Sequence, residues 1–129
     1  MPIAAGENIS GEQDFDIVIN DNILTVIQPD LAKWGGLSKT IPIAKNIIAA
    51  GKRYCPHYLG GGIGLVASAH ALAAVGGDGI LEVDINPNPL RTNLVGDMLT
   101  LVPGMASLGS LPGLGYEPDL ATLKKYQVL

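Results

Sequence analysis

The stretch Thr25-Val26-Ile27-Gln28-Pro29-Asp30 decides the fold. Three β-branched residues in a row make it short and stiff, as suits a buried strand. Pro29 has no N–H to give a ladder, so pairing should stop just before Asp30. The same design recurs along the chain. Ile3-Ala4-Ala5 leads to Glu7, Tyr54-Cys55-Pro56 leads to His57, and Ile80-Leu81 leads to Glu82. Successive polar residues stand 23, 27 and 25 positions apart, and each interval has room for one helix and little else. That is the rhythm of consecutive βα units with a polar side chain at the carboxyl end of each strand. In a (β/α)8 barrel those ends form the catalytic face.

The intervals themselves read as helices. Ser10-Gly11-Glu12-Gln13 has the form of a capping box and predicts a helix from Gly11 to Ile19 that buries Phe15, Val18 and Ile19. Gly35-Gly36 turns the chain into a second helix, with Ser38 as N-cap and Pro42 in its first turn. Ile41, Ala44 and Ile48 would be its apolar face, and Gly51 the residue that ends it. Gly60 to Gly64 is a flexible turn into an alanine-rich helix from Leu65 to Val75, and Ile80 to Val83 is the fourth strand. After Asp84 the βα pattern stops. Asn86-Pro87-Asn88-Pro89 reads as a loop, Met98 to Val102 as a strand, and Asp119 as the cap of a last helix through Tyr126. The fold class is therefore α/β. Residues 1–85 make half of a (β/α)8 TIM-type barrel, and residues 86–129 are an extension that packs over something else.

Bulk composition narrows the function classes. A chain of 129 residues, 47% hydrophobic and 16% charged, is globular and of one-domain size. Net charge is −4 and no basic cluster is present, which argues against a nucleic-acid partner. The one cysteine, Cys55, cannot form an internal disulfide, so a reducing compartment is expected. There is no leader and no long uncharged apolar run, so the expectation is a cytoplasmic protein without a membrane partner. A complete barrel takes roughly 250 residues. Met1 stands directly before the first strand, as though the chain starts midway through a larger enzyme.

The four strand-end residues can do specific chemistry. A carboxylate such as Glu7 can ligate a hard cation, although a useful magnesium site needs two or three protein oxygens. Asp30 and His57 fall on neighbouring strands, and an Asp accepting from one imidazole nitrogen raises the basicity of the other. Such a pair is a general base. Glu82 can exchange a hydrogen bond with a substrate carboxylate. Each also has a structural reading: a turn at Glu7, an Asx-turn at Asp30, a satisfied structural histidine at His57, and an exposed Glu82 with Asp84 as the functional acid. His70 sits mid-helix and reads as structural, and Cys55 as a buried, inert thiol. Gly60 to Gly64 lacks the Lys-Ser/Thr of a P-loop and reads better as a tight βα turn than as an anion site.

At these residues the sequence resembles the enolase superfamily, in its mandelate racemase/muconate lactonizing enzyme branch. Pro2-Ile3-Ala4-Ala5-Gly6-Glu7-Asn8 is similar to the strand carrying the third metal-binding carboxylate. Gln28-Pro29-Asp30 with Lys33-Trp34-Gly35-Gly36-Leu37 is similar to the strand whose Asp partners the catalytic histidine, and Pro56-His57 to the strand supplying that histidine. Leu81-Glu82 resembles the last barrel strand, and Leu111 to Val128 the segment that returns to a capping domain. The match covers essentially the whole chain as the C-terminal part of such an enzyme. It is specific through the order and spacing of the four motifs rather than through any one of them.

The resemblance implies Mg2+ as cofactor, with Glu7 as one ligand, His57 as base, Asp30 as its orienter and Glu82 at the substrate carboxylate. It implies α-proton abstraction from a sugar acid or α-hydroxy acid through an enediolate, as in a dehydratase or racemase. The earlier metal ligands and the capping domain have no counterpart in this sequence. The expected partners are therefore a small carboxylate, and either further copies of the chain or the N-terminal remainder. Two alternatives stand beside this reading: a catalytically silent chain that needs a partner, and a small α/β domain binding an anion at Gly60 to Gly64.

Overall fold

Three parallel strands carry the first three polar ends. In the computed structural model, which describes residues 1–96, 101–102 and 104–128, β1 (Ala4–Ala5), β2 (Val26–Ile27) and β3 (Arg53–Tyr54) form one sheet in chain order. Ala5 pairs with Ile27, and Ile27 with Tyr54. Backbone bonds run past the strand ends. Cys55 N–H donates to the Ile27 carbonyl, and His57 N–H to the carbonyl of Pro29, which can accept although it cannot donate.

Helices α1 (Glu12–Asn20) and α2 (Gly36–Ala49) lie against this sheet. Their shared core is Phe15, Ile19, Ile27, Ile43, Ala44, Ile47 and Tyr54. The Phe15 and Trp34 rings meet at 5.1 Å between centroids, a tilted aromatic pair. Helix α3 (Gly62–Val75) packs on α2, and its Ala67 and Ala71 form a second cluster with Leu31. The predicted order βαβαβα is thus present, with the sheet parallel throughout.

Several local expectations are corrected. Ser10 does not cap α1; Gly11 is the N-cap residue, with no side-chain bond. Ser38 does not cap α2, whose N-cap is Gly35, three residues earlier. The Ser38 hydroxyl instead donates back to the Gly35 carbonyl at 3.3 Å. Pro42 therefore sits in the second turn rather than the first. The apolar face of α2 is rotated by about one residue, burying Thr40, Ile43, Ala44 and Ile47. Its C-terminus follows expectation. Gly51, at φ 73°, donates to Ile48 and Lys52 donates to Ile47, the paired bonds of a Schellman cap. Helix α3 begins at Gly62, three residues before the predicted start.

The expected fourth strand, Ile80 to Val83, forms no ladder. Ile80 N–H donates to the Cys55 sulfur at 3.5 Å instead of to a carbonyl of β3. The segment still lies close to β3, with Gly79 pressed against the Tyr54 carbonyl.

Beyond Asp84, where the sequence spells a loop, the structure has a helix. This is α4 (Pro89–Val95), capped by Asn88, whose side chain accepts from Leu90 N–H at 3.0 Å. Arg91, Leu94 and Val95 are its buried residues, and it crosses α3 at Gly62. Of the predicted strand Met98 to Val102, Leu101–Val102 forms β4, antiparallel to β5 (Met105–Ala106), while Met98 to Thr100 lie outside the described residues. Asp119 caps α5 (Leu120–Lys124) as expected, accepting from Ala121 and Thr122 N–H, but the helix ends two residues before Tyr126. His70 is structural: its Nε2 faces the Leu114 carbonyl at 3.2 Å and ties the tail to α3. Among the described residues no helix is long and apolar enough to cross a membrane.

Candidate active site

Strand alternation puts Gln28 and Asp30 on one face of β2 and Cys55 and His57 on the same face of β3. The opposite face carries Ile27 and Tyr54 into the core beneath the helices. Glu7 should point to that core face, because it has the parity of Ala5, the partner of Ile27. Gly6 prevents this. Its φ of 127° is open to glycine alone in practice, and a Cβ there would lie 3.0 Å from the Gln28 nitrogen. The break in alternation turns Glu7 to the side where His57 stands.

The result is a line of three side chains. His57 Nδ1 lies 3.0 Å from Asp30 Oδ2, and His57 Nε2 lies 2.8 Å from Glu7 Oε2. His57 is 4% and Asp30 5% exposed, whereas the Glu7 carboxylate opens to solvent. The second Asp30 oxygen accepts from the backbone N–H of Ala32 at 2.8 Å and of Lys33 at 3.3 Å. Asp30 is thus both the Asx-turn and the histidine partner; the two readings are not alternatives. With Nδ1–H donated to Asp30, Nε2 holds the lone pair that a base needs. A neutral imidazole has one N–H, so both carboxylate contacts are hydrogen bonds together only when a second proton is present, on the ring or on Glu7. The arrangement therefore suits a proton arriving at Nε2.

Glu82 joins the same cleft by another route. Its Oε2 accepts from Gln28 Nε2 at 3.2 Å, so the missing ladder at Ile80 to Val83 does not leave it adrift. The cleft, of about 580 Å3, is lined by Gly6, Glu7, Asn8, Gln28, His57 and Glu82 among others. Gln28 and Asn8 were not singled out from the sequence. The parity of Gln28 with Asp30 was an available signal for the former. For Asn8 the sequence held none, because its placement follows from the turn at Gly6.

Asp84, the alternative acid, is engaged elsewhere. It accepts from Asn86 N–H and pairs with Arg91 at 3.3 Å, and these donors hold its carboxyl below the usual range. Cys55 is buried and accepts the Ile80 amide. The glycine loop after His57 serves packing: a Cβ at Gly60 or Gly64 would collide with the Tyr58 ring. Burial and the nearby Asp30 charge push the Tyr58 phenol upward.

The donor set does not make a magnesium site by itself. Glu7 is one oxygen donor, Asp30 is committed to His57 and two amides, and among the described residues no cluster of three His, Cys, Asp or Glu fits a metal ion.

Comparison with known proteins adds the family context. A family model described as enolase C-terminal domain-like matches residues 1–122. The chain is similar to D-galactarolactone cycloisomerase of Agrobacterium fabrum, 29% identical over 99% of this chain and 36% of that protein. It is also similar to arabinonate dehydratase of Saccharolobus solfataricus, 28% identical over 98% and 34%. Among solved structures, a mandelate racemase/muconate lactonizing enzyme from Bordetella bronchiseptica RB50 superposes with TM-score 0.91 at 55% identity, covering 97% of this chain and 35% of that one. The chain spans about a third of the length of these proteins.

Proposed function

The chain belongs to the enolase C-terminal domain-like family, and on that premise we propose that it supplies the His–Asp base of an enzyme that removes the α-proton of a sugar acid or α-hydroxy acid. The observation that carries this is His57 held between Asp30 at 3.0 Å and Glu7 at 2.8 Å in a cleft that also takes Glu82. In this reading His57 Nε2 takes the α-proton and Asp30 keeps the ring oriented. The electron pair of the broken C–H bond moves into the carboxylate, giving an enediolate. Glu82, positioned by Gln28, hydrogen-bonds the substrate carboxylate. In a dehydratase the proton on His57 then goes to the departing β-hydroxyl, which leaves as water; in a racemase the α-carbon is reprotonated. The two similar curated proteins, a cycloisomerase and a dehydratase named for sugar acids or their lactones, support the substrate class.

Mg2+ belongs to the complete enzyme in this reading, with Glu7 as one donor and the remaining ligands from outside this chain. Residues 1–85 are the C-terminal half-barrel, and 86–129 the extension that returns toward a capping domain. The single carboxylate donor favours a second reading for the chain alone, that it is catalytically silent without the rest of the barrel.

Both readings can be tested together. The chain replaces the matching third of the 55%-identical Bordetella protein, and a panel of sugar acids and α-hydroxy acids is incubated in deuterated water with magnesium. The graft should exchange the α-proton of at least one acid, and His57→Asn should slow that exchange by about 10²–10⁴-fold. Exchange that survives His57→Asn sinks the assignment of the base. Exchange by the isolated chain sinks the silent reading.

A further inference from the structure

We propose that Lys33, acting through Asn8, is a positioning residue that fixes the Glu7 carboxylate and closes a ring of five side chains that includes His57. Lys33 Nζ donates to Asn8 Oδ1 at 2.9 Å, and Asn8 Nδ2 donates to Glu7 Oε1 at 3.0 Å. Glu7 Oε2 meets His57 Nε2, His57 Nδ1 meets Asp30 Oδ2, and that same oxygen lies 3.9 Å from Lys33 Nζ. No role given above to Glu7, Asp30, His57 or Glu82 accounts for Lys33 or Asn8.

Donor and acceptor chemistry sets the direction of every link. An ammonium has donors only and a carboxylate acceptors only. Asn8, standing between them, can satisfy both in one orientation: oxygen to Lys33, nitrogen to Glu7. The reverse orientation would set amide hydrogens against the ammonium and the amide oxygen against the carboxylate. Lys33 thereby assigns separate partners to the two oxygens of Glu7, Oε1 to the amide and Oε2 to the cleft. Its backbone N–H meanwhile binds Asp30 Oδ1 at 3.3 Å, so one residue touches the supports of both flanking carboxylates. Lys33 is 44% exposed, and at 3.9 Å its charge adds little to Asp30 by itself. Its contribution is geometric: it spans from the turn after β2 to the residue beyond β1.

This inference rests on the roles proposed for Glu7 and His57, but its test needs no turnover. The chain labelled with nitrogen-15 and carbon-13 is examined by NMR for hydrogen exchange of the Asn8 side-chain amide. In the wild type this amide should exchange about tenfold more slowly than that of exposed Asn46, as a hydrogen bond to a charged partner at each end implies. Lys33→Met should bring Asn8 to the Asn46 rate and shift the Glu7 side-chain carboxylate carbon, with the melting curve unchanged. Lys33→Arg should restore both signals. If Lys33→Met leaves the Asn8 amide and the Glu7 carboxylate as they were, the proposal falls. It falls equally if wild-type Asn8 already exchanges like Asn46, whatever the variants do.

Discussion

Gly6 shows how much of this site depends on one missing methyl group. A β-strand alternates its side chains, and strict alternation from Ala5 would send Glu7 toward the helices. The φ of 127° at Gly6 redirects it to His57. Gly6→Ala should cost about 1–3 kcal/mol in urea unfolding, because a side chain is strained at that φ. It should also abolish the Glu7–His57 contact, visible by NMR as loss of the through-space cross-peak between the Glu7 side chain and the His57 ring. A fully stable variant that keeps that signal would show that Gly6 does not set the direction of Glu7. Asp30 makes a related point. It ends a strand, starts a turn through the amides of Ala32 and Lys33, and holds an imidazole, all with two oxygens.

At the scale of elements, the helix ends divide into those closed by side chains and those closed by backbone alone. Asp119 accepts from two amides and from the Thr122 hydroxyl, so Asp119→Ala should lower stability by about 1 kcal/mol. Ser10 caps nothing, so Ser10→Ala should stay within about 0.5 kcal/mol of wild type. Equal losses from both would reverse this assignment of caps. The contrast also marks where the sequence was readable. The parallel order and the meeting of Asp30 with His57 follow from apolar periodicity and from the spacing of the strand ends, whereas the approach of Glu7 needs the break in alternation at Gly6. The starts of α1 and α2 did not follow. Their serines had the right chemistry, but the N-cap positions fall on glycines 11 and 35, both at positive φ. Ile80 to Val83 has the composition of a strand, but a ladder also needs its amides to meet the carbonyls of the neighbour. There the Cys55 thiol takes the amide. Helix α4 was hidden because its cap, Asn88, stands in an Asn-Pro run that also spells a loop.

At the scale of the whole molecule, several surface carboxylates tie stability to acid pH. Backbone N–H donors from Ile23 hold Asp21 below the usual carboxylate range, and those of Asn86 do the same for Asp84. Arg53 lowers Asp78, and the Thr122 hydroxyl lowers Asp119. A folded value below the free value of 3.8 lends stability that is complete above that pH and lost as the pH falls through the lowered values. These groups lie at the surface, so each contribution is small. Melting temperature should therefore be level from neutral pH down to about pH 5 and decline below about pH 4. A midpoint that rises on acidification would show that other groups dominate. The middle strand gives the sheet a single point of failure. Val26–Ile27 is the one strand of the three that bonds on both sides, and Glu7 and His57 sit beyond its two neighbours. Their 2.8 Å contact joins residues fifty positions apart, and the sheet path between their strands runs through β2. That contact is thus a gauge of folding order: it can appear only after both hairpin-free crossovers have closed, and it should be the first signal lost when β2 slips from either side.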